Sequence, residues 1–227
     1  MILNNYCTFI TEFFTDEEVA LIHKSADKIP VDYGRVGYSD DNDPDQPEEN
    51  SNVRNEVRQS EIKWFGRDGH EMPESIVNKI HEGVGMMVQD AGWSNWEYDY
   101  LEPLQYTIYK HRPDAPTGDF YTWHTDAGPT EYKHGGLRKL SFSIQLSHPD
   151  DYEGGHFEYI DSKHAFDRLK PNQQTIDVDN IIQPLPFSAK EKGSMIVFPS
   201  FVHHQVKPVT SGTRISLVGW LVGKPYV

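Results

Sequence analysis

Hydrophobic residues repeat with two different periods along the chain, and the change falls near residue 96. Between Thr15 and Pro30, and again between Pro73 and Gly92, apolar positions recur about every three to four residues, as in helices that pack one face on a core. Thr15 can cap the first helix, and the acidic residues after it suit a helix N-terminus. The pattern therefore predicts two helices in the first half of the chain.

From residue 96 onward, aromatic and β-branched residues dominate, in short runs that alternate apolar and polar positions as half-buried strands do. The predicted strands are 97–110, 119–126, 139–147, 156–161, 194–198, 204–208 and 213–222. Clusters of glycine, proline and small polar residues predict turns at 114–118, 134–136, 153–155 and 210–212. Residues 162–192, which prolines interrupt, are predicted as a long connection beside a binding mouth.

This order of elements predicts a mainly β fold with flanking α-helices. Residues 1–227 are expected to form one domain, because no linker divides them. Within it, residues 1–95 would give helical support and residues 96–227 a sandwich or jelly-roll body.

Composition narrows the classes of function. Cys7 is the only cysteine, so a metal would have to be held by His, Asp or Glu. The formal net charge of −14 argues against a protein that binds nucleic acid through phosphate contacts. No apolar run has membrane-spanning length and no secretory leader is visible, which predicts a soluble, cytoplasmic protein.

Much of the acidic charge lies in residues 38–61. This segment has few apolar residues and two prolines, which is typical of a solvated loop. A lid, or a surface for a basic substrate, is the alternative interpretation.

His124 and Asp126 stand two residues apart near the end of a predicted strand. Alternate side chains of a strand share a face, so both would project on the same side. Chance and a surface ion pair are the alternative, because the chain has 11 histidines and 35 acidic residues. Aromatic residues just before the pair favour a metal site, since they would exclude water from it.

A second polar group begins with His203 and His204. Two adjacent histidines cannot both face inward along a strand, and counting by two from Val206 turns His204 inward. With His124 and Asp126 it would complete two histidines and one carboxylate, which leave open positions on a non-haem Fe(II).

Arg214 and Ser216 share one face of the last predicted strand. A buried arginine is costly unless it meets an anion, and a guanidinium with a hydroxyl beside it suits the carboxylate of a small molecule. A structural salt bridge is the alternative. The turn at 210–212 is expected to return the chain, so that His204 and Arg214 lie on neighbouring antiparallel strands.

The order of these candidate residues along the chain resembles that in the Fe(II)- and 2-oxoglutarate-dependent oxygenases, most of all in their prolyl-4-hydroxylase-like branch with its bacterial and phage members. The resemblance runs over residues 104–221 and rests on these motifs: His124-x-Asp126, Gly154-Gly155, Phe198-Pro199-Ser200, His204 and Arg214-x-Ser216. It implies a double-stranded β-helix, a jelly-roll variant whose major sheet is buttressed by helices.

The resemblance also implies the roles of single residues. His124, Asp126 and His204 would bind Fe(II), and Arg214, helped by Ser216, would bind the distal carboxylate of 2-oxoglutarate. Tyr109 matches a position from which related hydroxylases offer a tyrosine to 2-oxoglutarate. Ser143 and Gln145 are expected to face the cavity, and the candidate substrate contacts are Tyr121, Trp123, Gln145 and Trp220.

In this family 2-oxoglutarate and O2 are converted to succinate and CO2 while a substrate is hydroxylated, with ascorbate as the reductant. The resemblance favours a peptide or protein substrate with a prolyl or other side chain as target. A free amino acid or small metabolite is the alternative, and a non-catalytic jelly-roll that only binds a ligand is the alternative from another class. The expected location is the cytoplasm, or the host cytoplasm if a phage encodes the chain.

Overall fold

The computed structural model describes residues 6–34, 56–93, 97–127, 136–161 and 181–224. The helices are α1 (Asp16–Ala26) and α2 (Glu74–Asp90). The strands are β1 (Thr8–Ile10), β2 (Asp32–Tyr33), β3 (Arg58–Gln59), β4 (Glu61–Phe65), β5 (Tyr100–Leu101), β6 (Leu104–Lys110), β7 (Phe120–His124), β8 (Leu137–Gln145), β9 (Tyr152–Gly154), β10 (Phe157–Ile160), β11 (Ile182–Pro184), β12 (Met195–Pro199), β13 (His204–Val206) and β14 (Val209–Gly223).

Two antiparallel sheets form the body. The larger has the order β1-β12-β8-β14-β6-β4-β2, with β5 and β9 also pairing with β14, and the smaller has the order β11-β10-β13-β7-β3. Between them lies an apolar cluster that includes Phe198 of the larger sheet and Phe157 and Val206 of the smaller. The predicted mainly β fold is therefore confirmed.

Both predicted helices are present on the outer face of the larger sheet. Thr15 caps α1 in a capping box with Glu18, and α1 ends at Ala26, a turn before Pro30. Ile22 of α1 and Ile80 of α2 belong to the same buried cluster as Leu217 of β14. This apolar packing leaves the opposite face of the larger sheet for the polar residues described below. No helix in the described ranges combines the length and the apolar character needed to cross a membrane.

The first 95 residues contribute more than the predicted helices. β1 pairs with β12, β4 with β6 and β3 with β7, so this part of the chain supplies strands to both sheets. β3 and the start of β4 fall inside the segment 38–61 that was predicted as a loop; the rest of that segment, up to residue 55, lies outside the described residues. Their strand pairing explains the difference, since Arg58 and Ile62 are both buried.

The turn predicted at 210–212 is wrong. β14 runs through it without a break and changes partners, pairing with β9 near Gly212 and with β6 from Thr213 onward. Gly212 has φ +69, and a Cβ there would lie 2.0 Å from the carbonyl oxygen of Asp151, so the glycine permits a close strand approach. As a result His204 and Arg214 lie on different sheets rather than on neighbouring strands.

The predicted turn at 134–136 lies outside the described residues except for Gly136. The same holds for residues 162–180 of the predicted connection 162–192. Its described part contains β11 and a short 3-10 helix, Phe187–Lys190.

Candidate active site

His124, Asp126 and His204 converge at one end of the smaller sheet. His124 ends β7, and His204 begins β13 directly opposite it in the antiparallel register. Asp126 Oδ1 lies 3.6 Å from His124 Nε2, and Asp126 Oδ2 lies 3.7 Å from His204 Nε2. One ligand atom from each of the three side chains falls within 4.8 Å of the others, whereas His203 is exposed. The chain therefore brings together the three metal ligands predicted from the sequence.

Backbone carbonyls orient both imidazole rings. The Nδ1 of His124 donates to the carbonyl oxygen of Thr122 at 2.7 Å, and the Nδ1 of His204 donates to that of Val202 at 2.9 Å. When Nδ1 carries the proton, Nε2 keeps its lone pair, and both Nε2 atoms face Asp126. Each ring is thus held in the tautomer that a metal ligand needs.

The electrostatics of the group also suit metal binding. Burial, followed by the charge of His204, lowers the pKa of His124 to about 3. Burial acts to raise the pKa of Asp126, but His204, His124 and Arg138 outweigh it and lower that pKa below its usual value. A neutral His124 and an ionised Asp126 at neutral pH are the protonation states in which these groups bind metals.

Aromatic rings enclose the two histidines. The ring of Tyr121 stacks on His124, with centroids 3.4 Å apart and planes 13° apart. Phe198 and Phe157 lie 4.6 Å and 5.4 Å from the ring of His204. These contacts cover the ring faces and leave the two Nε2 atoms directed at Asp126.

A second group of polar residues lies on the inner face of the larger sheet, around Arg214. This side chain is only 3% exposed, and its Nη2 donates to Gln145 Oε1 at 2.9 Å. Its Cζ lies 5.6 Å from the ring centre of Tyr109, its register partner on β6. Ser216, two positions along β14, has a buried Oγ with no hydrogen-bond partner among the described residues. A buried cation beside an unpaired hydroxyl is a receptor for an anion.

Neighbouring strands extend this polar face. Ser143 and Gln145 alternate with apolar residues along β8, and Gln145 Nε2 lies 3.5 Å from Ser143 Oγ, a long hydrogen bond. Both are buried, so Ser143 has the inward orientation predicted for it. Gln145 accepts a hydrogen bond from Arg214 and lines the same cavity, and its contact with a substrate stays a prediction.

The two candidate tryptophans differ. Trp220 is buried on β14, its Nε1 has no hydrogen-bond partner among the described residues, and the guanidinium of Arg138 lies 3.9 Å from its ring centre. Trp123 is half-buried on β7, and within the described residues its side chain makes no hydrogen bond or ring stacking. The structure therefore leaves a buried, unpaired donor at Trp220, and a contact of either tryptophan with a substrate stays a prediction.

Sequence reasoning missed Arg58. This residue is buried on β3, its Cζ lies 4.7 Å from the ring centre of Tyr121, and its Nη2 donates to Gln105 Oε1 at 2.6 Å. Two features of the sequence could have indicated a strand here. Arg58, Ser60 and Ile62 occupy every second position, so they share one strand face, and this stretch is less acidic than the residues before it.

Comparison with known proteins gives the family. The sequence pattern of the 2OG-Fe(II) oxygenase superfamily matches residues 104–222. A PKHD-type hydroxylase of Synechococcus sp. (strain CC9902) is 34% identical over 107 residues, which are 47% of this chain and 38% of that protein. The chain thus matches only about two fifths of the length of this relative.

Two solved structures share the fold over nearly the whole chain. A prolyl-4-hydroxylase from Pseudomonas putida superposes with a TM-score of 0.58 at 15% identity, covering 98% of this chain and 95% of that one. A prolyl hydroxylase from Trichoplax adhaerens, solved in complex with a peptide fragment, superposes with a TM-score of 0.58 at 15% identity, covering 96% and 84%. The double-stranded β-helix predicted from the sequence is therefore confirmed. With more than half of its residues inside the family pattern, and with relatives that are named PKHD-type hydroxylases, the chain belongs to the 2OG-Fe(II) oxygenase superfamily.

Proposed function

We propose that this protein is an Fe(II)- and 2-oxoglutarate-dependent dioxygenase that hydroxylates a side chain of a peptide or protein, with proline as the first candidate. The observation that carries the proposal is the pairing of two sites. A group of two histidines and one carboxylate lies at one end of the smaller sheet, and a buried Arg214 with the unpaired hydroxyl of Ser216 lies on the larger sheet.

The residues fit both ligands. His124, Asp126 and His204 would hold Fe(II) on one side, which leaves room for a co-substrate and O2. Arg214 and Ser216 would bind the distal carboxylate of 2-oxoglutarate.

When bound, Fe(II) and 2-oxoglutarate supply the activation of O2: one oxygen atom enters the substrate, and the other leaves in succinate as CO2 is released. The protein's own residues bind, orient and exclude water. Burial raises the pKa of Tyr121 to about 12, so at neutral pH this phenol stays protonated over His124 and adds no negative charge. Burial likewise raises the pKa of Tyr109, so the phenol whose ring lies near Arg214 stays neutral.

A peptide substrate is supported by charge and by one relative in fold. The net charge of −14 suits a neutral or basic chain, and the Trichoplax structure holds a peptide fragment. On the chain itself, Trp220 Nε1 is a buried donor that a backbone carbonyl of a substrate could satisfy. We propose ascorbate as the reductant, and the cytoplasmic location stays a prediction.

The test is succinate formation from 2-oxoglutarate by the purified protein with Fe(II), ascorbate and O2. We expect succinate in the wild type and none in Asp126→Ala. Binding of 2-oxoglutarate without any succinate would instead support the non-catalytic ligand-binding module. Mass spectrometry of a proline-containing peptide, the same peptide with alanine at that position, and free proline would then locate the added oxygen. Oxygen on free proline alone would support the amino-acid alternative.

A further inference from the structure

A small cavity opens beside Arg214, and Gly155 and Lys190 also border it. It is partly open to solvent, and Arg214, Gln145, Phe157 and Lys190 are among its walls. The described residues that line it include two cations and no acidic side chain. The positive charge of this cavity is therefore not neutralised by its own wall.

Lys190 stands at the end of the 3-10 helix Phe187–Lys190. Its Nζ donates to Nδ1 of His156, which can accept only while the imidazole is neutral. Burial, and after it the charge of Lys190, lowers the pKa of His156, which agrees with a neutral ring. Among the described residues, the one hydrogen bond of Lys190 goes to this uncharged ring, and Lys190 has no ion-pair partner.

Arg214 and Lys190 repel each other across the cavity. The pKa of Lys190 is lowered first by partial burial and next by the charge of Arg214. Two cations that face one small space are relieved when an anion enters between them, and a carboxylate has two oxygens to offer. Gly155 keeps the space open, because a Cβ there would lie 2.9 Å from Arg214 Cδ.

We propose that Lys190 is a second cationic residue of the co-substrate pocket, and that it attracts and positions the distal carboxylate that Arg214 binds. This proposal rests on the function proposed above and adds a residue to it. Lys190 is half-buried whereas Arg214 is only 3% exposed, so Lys190 would act on the approaching dianion as well as on the bound one.

The experiment measures the dissociation constant of 2-oxoglutarate by calorimetry on the Mn(II)-loaded protein, without turnover. We expect Lys190→Met to weaken binding about fivefold, the upper end for a partly exposed ion pair. Lys190→Arg should restore most of the affinity. Lys192→Met is the matched control, because Lys192 lies two residues away and pairs with Asp16 instead.

A second ligand separates a charge effect from a loss of packing. In 2-oxopentanoate a methyl group replaces the distal carboxylate, so Lys190→Met should leave its affinity unchanged. If both ligands weaken equally, or if Lys190→Met binds 2-oxoglutarate as Lys192→Met does, the assignment of Lys190 is overturned. If the wild type itself fails to bind 2-oxoglutarate, the proposed function falls, and the role of Lys190 with it.

Discussion

The hydrogen bond from Arg214 to Gln145 makes the co-substrate end of the site sensitive to one nearly isosteric substitution. Gln145→Glu would place a carboxylate 2.9 Å from a guanidinium that is only 3% exposed. The centres of the two charges would be about 4 Å apart, and unit charges at that separation attract each other by about 4 kcal/mol at an effective dielectric constant near 20. If relaxation and solvent halve this energy, about 2 kcal/mol remains, and a ligand carboxylate would have to overcome it to bind Arg214.

We therefore expect Gln145→Glu to weaken 2-oxoglutarate binding about 30-fold, since about 1.4 kcal/mol corresponds to a tenfold change. The thermal midpoint of the ligand-free protein should not fall, because a buried cation gains an anionic partner. Titration calorimetry with 2-oxoglutarate on the Mn(II)-loaded protein measures the affinity. Gln89→Glu on the exposed side of α2 controls for net charge. An affinity within threefold of wild type would refute the reasoning that the distal carboxylate binds Arg214.

Two further predictions concern the same pocket and the metal ligands. Gly155→Ala should weaken 2-oxoglutarate binding about tenfold, because the new Cβ would displace Arg214. Gly69 also has a positive φ but has open space around it, so Gly69→Ala should leave the affinity unchanged. Equal affinities in the two variants would contradict this prediction. The pKa of His124 is about 3 in the folded protein and near 6.5 in the unfolded chain, so the unfolded state binds the extra proton and stability is lost as pH falls below 6.5. At pH 5 this loss of stability is about 2 kcal/mol. Urea unfolding of the metal-free protein at pH 7.5 and at pH 5 measures it, and the free energy of unfolding should fall by about 2 kcal/mol more for wild type than for His124→Gln. Identical losses in the two proteins would contradict this.

Local patterns were sufficient to predict which side chains face inward. Arg214 and Ser216 alternate with Ile215 and Leu217, and the structure buries Leu217 in the helix-side cluster while Arg214 lines the cavity between the sheets. Such alternation depends on the pleat of a single strand, which neighbouring residues determine. The same rule correctly distinguished the buried His204 from its exposed neighbour in the sequence.

Strand partners could not be predicted in the same way, because pairing depends on residues far apart in the chain. The glycine at 212 reads locally as a turn, and only the carbonyl of Asp151 shows why it stands in a continuous strand. Arg58 reads as part of a charged loop until β3 pairs with β7, which brings it over Tyr121. The contact between Gln145 and Arg214 likewise requires that β8 and β14 be neighbours.

The central claim is that His124, Asp126 and His204 bind one Fe(II), and adjacent histidines allow a direct test. Anaerobic Fe(II) titration should give one ion per chain for the wild type and for His203→Ala, whose side chain is exposed. His204→Ala should weaken Fe(II) binding by at least about tenfold. Loss of a residue that only orients a metal ligand already costs about that much, and His204 would be a ligand itself. Equal Fe(II) affinity in the two variants, or a loss in His203→Ala alone, would contradict the account.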